Sequence, residues 1–360
     1  MNKKILIIHD RFQYRGGGER LCLIMANGLK ADILTEYWDE ENSFVKSEAL
    51  GKIFMLGKKF NIRGLGYVSA QLRFFFKTDF IKNYDIIIFS GNNCLSAAWR
   101  ARGKRKIMYC HTPVRYAYDL KNYYFKSYPF YLKPVFLFFA YLARFIYQWG
   151  IKKMDKIMAN SKNVQNRLKY YCHMESAVVY PPIDTEKFKW LGQNDYYLSF
   201  ARLVDLKRVA DIARAFQKMP DKKLIIASGG PEFASIKKLA ANFNNIKVLG
   251  FVSDEKLAEL VGNCIANIYI PRQEDFGMSP LEAASAGKPT IGVDDGGLRE
   301  TVLHGKTGYL MSKNYKIEDL IVAVKWLDYN KAERMKKYCE KQAEKFSKSV
   351  FLEGVKLMLQ

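Results

Sequence analysis

The chain is poor in cysteine and histidine. Its six cysteines, at positions 22, 94, 110, 172, 264 and 339, form no C-x-x-C pair, and none stands near one of the four histidines at metal-ligand spacing. A structural zinc site and a disulfide framework are excluded on that ground, and a reducing compartment is expected. Long apolar runs are also missing. The opening MNKKILIIHD holds only four consecutive apolar residues before His9 and Asp10, too few for a signal peptide, so it reads as a first β-strand of a cytosolic chain. Acidic residues are scarce, 36 against 58 Lys+Arg, for a net charge of +22. The imbalance is concentrated. Residues 1–182 carry 30 Lys+Arg against 13 Asp+Glu, whereas residues 183–360 carry 28 against 23, so a partner drawn by positive charge meets the N-terminal half. No zinc-finger, RNP-type or basic-zipper pattern accompanies the charge, which leaves nucleic acid with nothing but net charge in its favour. An anionic membrane face or a phosphorylated substrate fits at least as well.

What is present is enough for a large core: 49% of the 360 residues are apolar and 14% aromatic, and a chain this long divides into two domains more readily than it builds one core. Short apolar runs at 4–9, 31–37, 85–91, 106–111, 155–161 and 176–182 alternate with helix-length segments, the pattern of a parallel α/β sheet. After Pro181-Pro182 it restarts at 196–202, 222–230, 246–252, 264–271 and 289–295. Two doubly wound halves joined near 181–185 are expected, with ligands at the carboxyl ends of the strands and the cleft between halves as the place for function.

Residues 121–153 depart from this pattern. Thirteen aromatics fall within residues 121–150, and the longest uncharged run, 134–143, is ten residues, half of what a spanning helix needs. A transmembrane helix is not expected. The open alternatives are a buried helix and an interfacial element with cations flanking aromatics at the headgroup level. Residues 58–82 repeat the same mixture of basic and aromatic side chains.

Several turns carry candidate chemistry. Gly16, Gly17 and Gly18 follow the first strand and precede a helix expected over 19–30, where backbone can approach a ligand closely and N–H groups face outward; the same glycines also suit a plain tight turn, and they do not form G-x-G-x-x-G. His111 ends a strand in a loop with Arg115, Tyr116 and Asp119, where a ligand-facing role is expected. Arg202 and Lys207 flank a turn after another strand and could clamp a diphosphate. Gly230 and Val252 mark further strand-end turns. Ser279-Pro280-Leu281-Glu282 has the form of a capping box, with Ser279 as N-cap, so Glu282 has both a capping and a ligand reading. Glu274 lies before that helix beside Phe276, Gly277 and Met278, and capping does not account for it.

The stretch EDFGMSPLE (274–282) resembles the E-x7-E motif of the family 4 retaining glycosyltransferases, the group 1 enzymes of GT-B fold, in which two Rossmann-like doubly wound domains face a central cleft. GGGER (16–20), HTP (111–113), ANS (159–161), YPPIDTEKF (180–188), ARLVDLK (201–207), SGGPE (228–232), GKPTIG (287–292) and GGLRETVLHGKTGYL (296–310) stand in the order of that family, over essentially the whole chain. The extended CHTPVRYAYD is similar to a subgroup that includes bacterial polysaccharide mannosyltransferases. The resemblance implies an N-terminal acceptor domain over 1–182, a donor domain over 183–345, and a C-terminal helix, 346–360, crossing back to the first domain. It implies that Arg202 and Lys207 hold the donor diphosphate, Glu282 the ribose and Glu274 the sugar. Amides near Phe276, Gly277, Met278 and Ser279 would contact sugar and phosphate, with Gly230 and Val252 also in the donor site. Gly16 to Gly18 would border the diphosphate and acceptor, and His111 the transferred sugar. It further implies a nucleotide-sugar co-substrate, GDP-mannose favoured over UDP- and other GDP-sugars. The acceptor would be a lipid-linked or growing glycan at the inner membrane face. The resemblance also implies no metal, with which the absence of a D-x-D motif in the right place is consistent. A non-catalytic sugar-nucleotide or glycan-binding protein of the same fold is the competing class.

Overall fold

The computed structural model describes residues 3–59 and 65–360; residues 60–64 of the basic, aromatic stretch 58–82 lie outside the described residues. The chain forms two compact units, one of Met1–Pro181 with Phe351–Gln360 and the other of Pro182–Val350.

The N-terminal unit is built on seven strands: β1 (Ile5–His9), β2 (Asp32–Thr35), β3 (Ile53–Met55), β4 (Ile86–Ser90), β5 (Arg105–Cys110), β6 (Lys156–Ala159) and β7 (Ala177–Val178). Every pairing is parallel, in the order β3-β2-β1-β4-β5-β6-β7. A parallel strand is covered on both faces, so its residues run apolar without alternation; β4, IIIFS, is buried at every position. The sheet order reverses direction between β1 and β4, and their register sets His9 opposite Ser90. That switch point is where doubly wound sheets accept ligands.

The second unit repeats the plan with six parallel strands in the order β10-β9-β8-β11-β12-β13. They are β8 (Tyr197–Ser199), β9 (Leu224–Ile226), β10 (Ile246–Val248), β11 (Asn267–Ile268), β12 (Thr290–Val293) and β13 (Gly308–Met311). Its switch point lies between β8 and β11. Strands β3 and β13 were not foreseen from the apolar runs.

Two helices bear on function. The Lys348–Leu359 helix buries Phe351 and Val355 in the N-terminal unit's core beside Ile7 and Tyr109, with the Phe351 ring edge-on to Tyr109 at 5.8 Å. Phe130–Ile151 is, among the described residues, the one stretch long and apolar enough by length and composition to cross a membrane. This differs from the expectation set by its ten-residue uncharged run, because Lys133 and Arg144 interrupt the run without lowering its average hydropathy below the spanning range. The helix is nonetheless tied to the fold along one side: Ala143, Tyr147 and Ile151 belong to the same core as Leu95 and Met108.

Candidate active site

In the C-terminal unit the loops leaving β8 and β11 converge. Lys207, in the turn Asp205–Lys207, directs its Nζ to Tyr269 Oη at 2.6 Å and to Glu274 Oε2 at 2.5 Å, and Tyr269 Oη donates to the same Glu274 oxygen at 2.9 Å. Tyr269 is buried, and burial, reinforced by the Glu274 charge, pushes its phenol well above the ordinary range. It therefore stays a neutral donor, orienting a carboxylate that the ammonium neutralises.

The two loops are also locked by backbone. Arg208 adopts a left-handed conformation, φ 53, and gives its guanidinium to the carbonyls of Ile270 at 2.6 Å and Pro271 at 2.9 Å, while Arg272 N–H donates to Leu206 O at 2.8 Å. Arg202 is exposed at the start of the same segment. Gly230, at φ +153, lets the β9 loop press against it: a Cβ there would lie 2.4 Å from Leu203 O. Val252 packs against the core of this unit, and its neighbour Phe251 is the exposed one, its ring lying over Gly229.

The helix following Glu274 starts earlier than its sequence suggests. It spans Met278–Ser285, its N-cap is Gly277 at φ 92, and no side chain caps it. The expected capping box is thus incorrect: Ser279 and Pro280 sit inside the first turn, where proline needs no N–H partner, and Glu282 lies beyond reach of the capping role. Gly277 brings no side-chain oxygen to cap the first amides, an arrangement that suits an anion or a hydroxyl-rich ligand. Behind it, Gly297 N–H donates to Glu274 O at 2.9 Å and Gln273 N–H to Asp295 Oδ2 at 2.8 Å. A Cβ on Gly296 would stand 2.2 Å from Glu274 O, so the Gly296-Gly297 pair is the floor on which the Glu274 loop rests.

The N-terminal unit's switch point holds a second cluster. Gly16 caps the Gly17–Leu29 helix, two residues earlier than expected. A Cβ on Gly18 would stand 3.8 Å from both His111 Cε1 and His9 Cε1, so the glycine turn and His111 do meet. Ser90 links the histidines: its carbonyl pairs with His9 Nδ1, and its Oγ lies 3.0 Å from His111 Nε2. Exclusion of water lowers both imidazoles to about 4; for His9 the Ser90 carbonyl opposes this and the Arg11 charge adds to it, and for His111 the competing His9 ring adds to it while the Asp10 charge opposes it. Both are neutral at pH 7, so any stabilisation of positive charge by His111 comes from its dipole or carbonyl. Asp10 accepts from the amides of Asn92, Asn93 and Cys94 at 3.0, 2.8 and 2.9 Å, fixing the loop after β4. His9, Asp10, Ser90 and Tyr269 were not singled out from sequence; their signal is position at a strand's carboxyl end, legible only once sheet order is known. Among the described residues no group of three or more His, Cys, Asp or Glu side chains is placed to hold a metal ion.

Comparison with known proteins decides what these two clusters belong to. Residues 15–187 match the family described as Glycosyltransferase Family 4, and residues 182–346 the family described as Glycosyl transferases group 1. The chain is a family 4 glycosyltransferase. It is 38% identical over 109 residues to the N-acetyl-alpha-D-glucosaminyl L-malate synthase of Bacillus anthracis, covering 29% of each chain. It is 28% identical over 210 residues to the alpha-1,3/1,6-mannosyltransferase ALG2 of Dictyostelium discoideum, covering 45% of this chain and 50% of the relative. The matches thus span half or less of the length of these relatives. The crystal structure of Anabaena HepE in complex with UDP is 16% identical, covers 99% of both chains and superposes with a TM-score of 0.77. The fold of this glycosyltransferase is GT-B, two Rossmann-like units in one chain.

Proposed function

We propose that the protein transfers a hexose from a nucleotide-sugar, mannose from GDP-mannose, to a lipid-linked or growing glycan in surface polysaccharide or glycoconjugate synthesis. The transfer retains the anomeric configuration, and the enzyme works at the cytoplasmic face of the membrane as a peripheral protein. The observation that carries the reading is the Lys207–Tyr269–Glu274 triad set beside a helix N-terminus that no side chain caps.

In that setting Arg202 and Lys207 face the diphosphate. As the C1–O bond to the donor phosphate breaks and a new C1–O bond to the acceptor oxygen forms, the acceptor's hydroxyl proton passes to the departing phosphate oxygen, and on the way the sugar gains positive charge and the leaving group negative charge. Preorganised cations and amide dipoles at the leaving group are worth most at that moment; loss of one such donor commonly costs about 2.7 to 4 kcal/mol. Glu274, held by Lys207 and Tyr269, presents its second oxygen to sugar hydroxyls. Glu282 takes the ribose hydroxyls, and the amides at Gly277, Met278 and Ser279 take phosphate or sugar oxygens. No resident metal enters this scheme. From the N-terminal unit, Gly16, Gly17 and Gly18 border the diphosphate and the acceptor, and His111 lies beside the transferred sugar.

Mannose is supported by CHTPVRYAYD at 110–119 and by the name of the ALG2 relative. A UDP-sugar is the second reading, favoured by the UDP bound in HepE. A panel of sugar nucleotides, read by donor hydrolysis and by thermal shift, decides between them: GDP-mannose should give the largest response. No response to any sugar nucleotide would favour a glycan-binding protein without catalysis.

A further inference from the structure

The Lys133–Ile151 helix has two apolar faces. Phe136, Ala140, Ala143 and Tyr147 point inward and are buried. On the other side Val135, Phe138, Tyr141 and Phe145, spaced at three or four residues, are 49%, 64%, 57% and 67% exposed. A helix apolar all round belongs in a core or against lipid, and an exposed apolar stripe of this length on a folded unit marks an interaction surface. Its charge surroundings select the partner. Between residues 120 and 154 the chain carries Lys121, Lys126, Lys133, Arg144, Lys152 and Lys153 and no acidic residue, so the segment that bears the stripe brings cations with it, the composition of an anionic interface.

Beside the stripe opens a cavity of about 540 Å³, lined by Tyr67, Tyr116, Tyr124, Tyr128, Phe136 and Phe139 with Leu132 and Val135 at the helix, within the size range of small-molecule sites. Six of its eight lining residues are aromatic, four of them tyrosines. One of its lining residues, Tyr116, lies in the loop five residues after His111, and Tyr67 and Tyr116 both pack against the core that holds Cys110 and Val114. The aromatic cavity therefore joins the exposed stripe to the loop that follows β5.

Resting on the glycosyltransferase reading above, we propose that this cavity receives the apolar chain of the lipid-linked acceptor, whose glycan is carried on a lipid phosphate, drawn from an anionic bilayer on which the aromatic stripe docks. The chain is held by rings at its sides. The headgroup end is thereby brought towards His111 and the Gly16–Gly18 turn, and the surrounding cations meet phosphate.

The test uses the full chain and a farnesyl phosphate carrying a diazirine on its terminal isoprene unit, with covalent labelling mapped by mass spectrometry. Labelling should fall on residues 116–139, be displaced by dodecyl phosphate, and survive an excess of inorganic phosphate. Val135→Trp, which fills the cavity mouth, should cut labelling by about tenfold or more, the scale of a 1.4 kcal/mol change, while its circular dichroism matches that of the parent; Val135→Ile should label normally. Labelling spread over the chain, equal competition by inorganic phosphate, or undiminished labelling of Val135→Trp would each overturn the proposal. Vesicle binding gives a second arm. Phe138→Ser with Phe145→Ser should lose flotation with phosphatidylglycerol vesicles at low salt, and unchanged flotation would overturn docking through the stripe. Donor hydrolysis, measured separately, keeps the outcomes apart: a labelled cavity with no sugar-nucleotide turnover sinks the transferase reading alone, and turnover with an unlabelled cavity sinks this one alone.

Discussion

Lys207 and Glu274, 67 residues apart in the chain, meet with Nζ and Oε2 at 2.5 Å, and Tyr269 Oη bonds both. The cation proposed to hold the leaving group is thus also the group that aims the carboxylate proposed to hold the sugar.

That shared role sets the pattern of a first experiment. Lys207→Ala should lower donor turnover by about 10² to 10³, the range for loss of one leaving-group contact, and should also weaken donor binding because Glu274 loses its partner. Arg202→Ala, at an exposed position, should lower turnover without disturbing Glu274. Tyr269→Phe should fall between the parent and Lys207→Ala. Steady-state kinetics with the best sugar nucleotide reads all three, and near-parental rates in both Arg202→Ala and Lys207→Ala would end the clamp.

The helix start makes a second, separable claim. Because Gly277 and not Ser279 is the N-cap, Ser279→Ala should cost well under the roughly 1 kcal/mol typical of a lost cap. Glu282→Gln should leave the urea midpoint unchanged and raise the donor KM. A full capping penalty in Ser279→Ala would restore the capping box.

Acid should loosen the N-terminal unit. His9 and His111 titrate near 4 in the fold against 6.5 for the free side chain, so the unfolded chain binds protons that the native one refuses. Stability from these two is fully present above about pH 6.5 and is lost as pH falls towards 4, by at most about 3 kcal/mol for His9 alone. Urea midpoints should drop across that window, and less steeply in His9→Gln. A midpoint flat with pH would contradict the buried, neutral pair.

Gly296 is the most exacting of the glycines around the Glu274 loop. At φ +56, with Glu274 O 2.2 Å from its virtual Cβ, alanine must both accept a left-handed backbone, about 1 to 3 kcal/mol, and displace the loop. Gly296→Ala should therefore lower the urea midpoint and raise the donor KM together. Loss of stability with an unchanged KM would separate this floor from the site.

Most of the sheet was legible because parallel strands are covered on both sides and therefore read as continuous apolar runs, as in IIIFS at β4. Strand β3 was not, being three residues with its last, Met55, exposed; nor was β13, whose GYLM follows the polar turn HGKT. Among site residues Lys207, Glu274 and His111 stood out because charge or imidazole in a strand-end loop has few structural uses. Tyr269 did not, since a tyrosine in a strand run looks like core until its hydroxyl is seen to bond Lys207. Ser279 misled because S-P-L-E satisfies a local rule, while the decisive residue, Gly277, acts through a positive φ that sequence alone does not reveal.

The return of residues 351–360 to the N-terminal unit bears on how the chain is made. Phe351 and Val355 complete the core around Tyr109 and Ile7, yet leave the ribosome only after the whole of the second unit. The first unit begun is accordingly the last one closed, and a translation arrest near residue 345 would strand it with an open apolar seam for chaperones to cover.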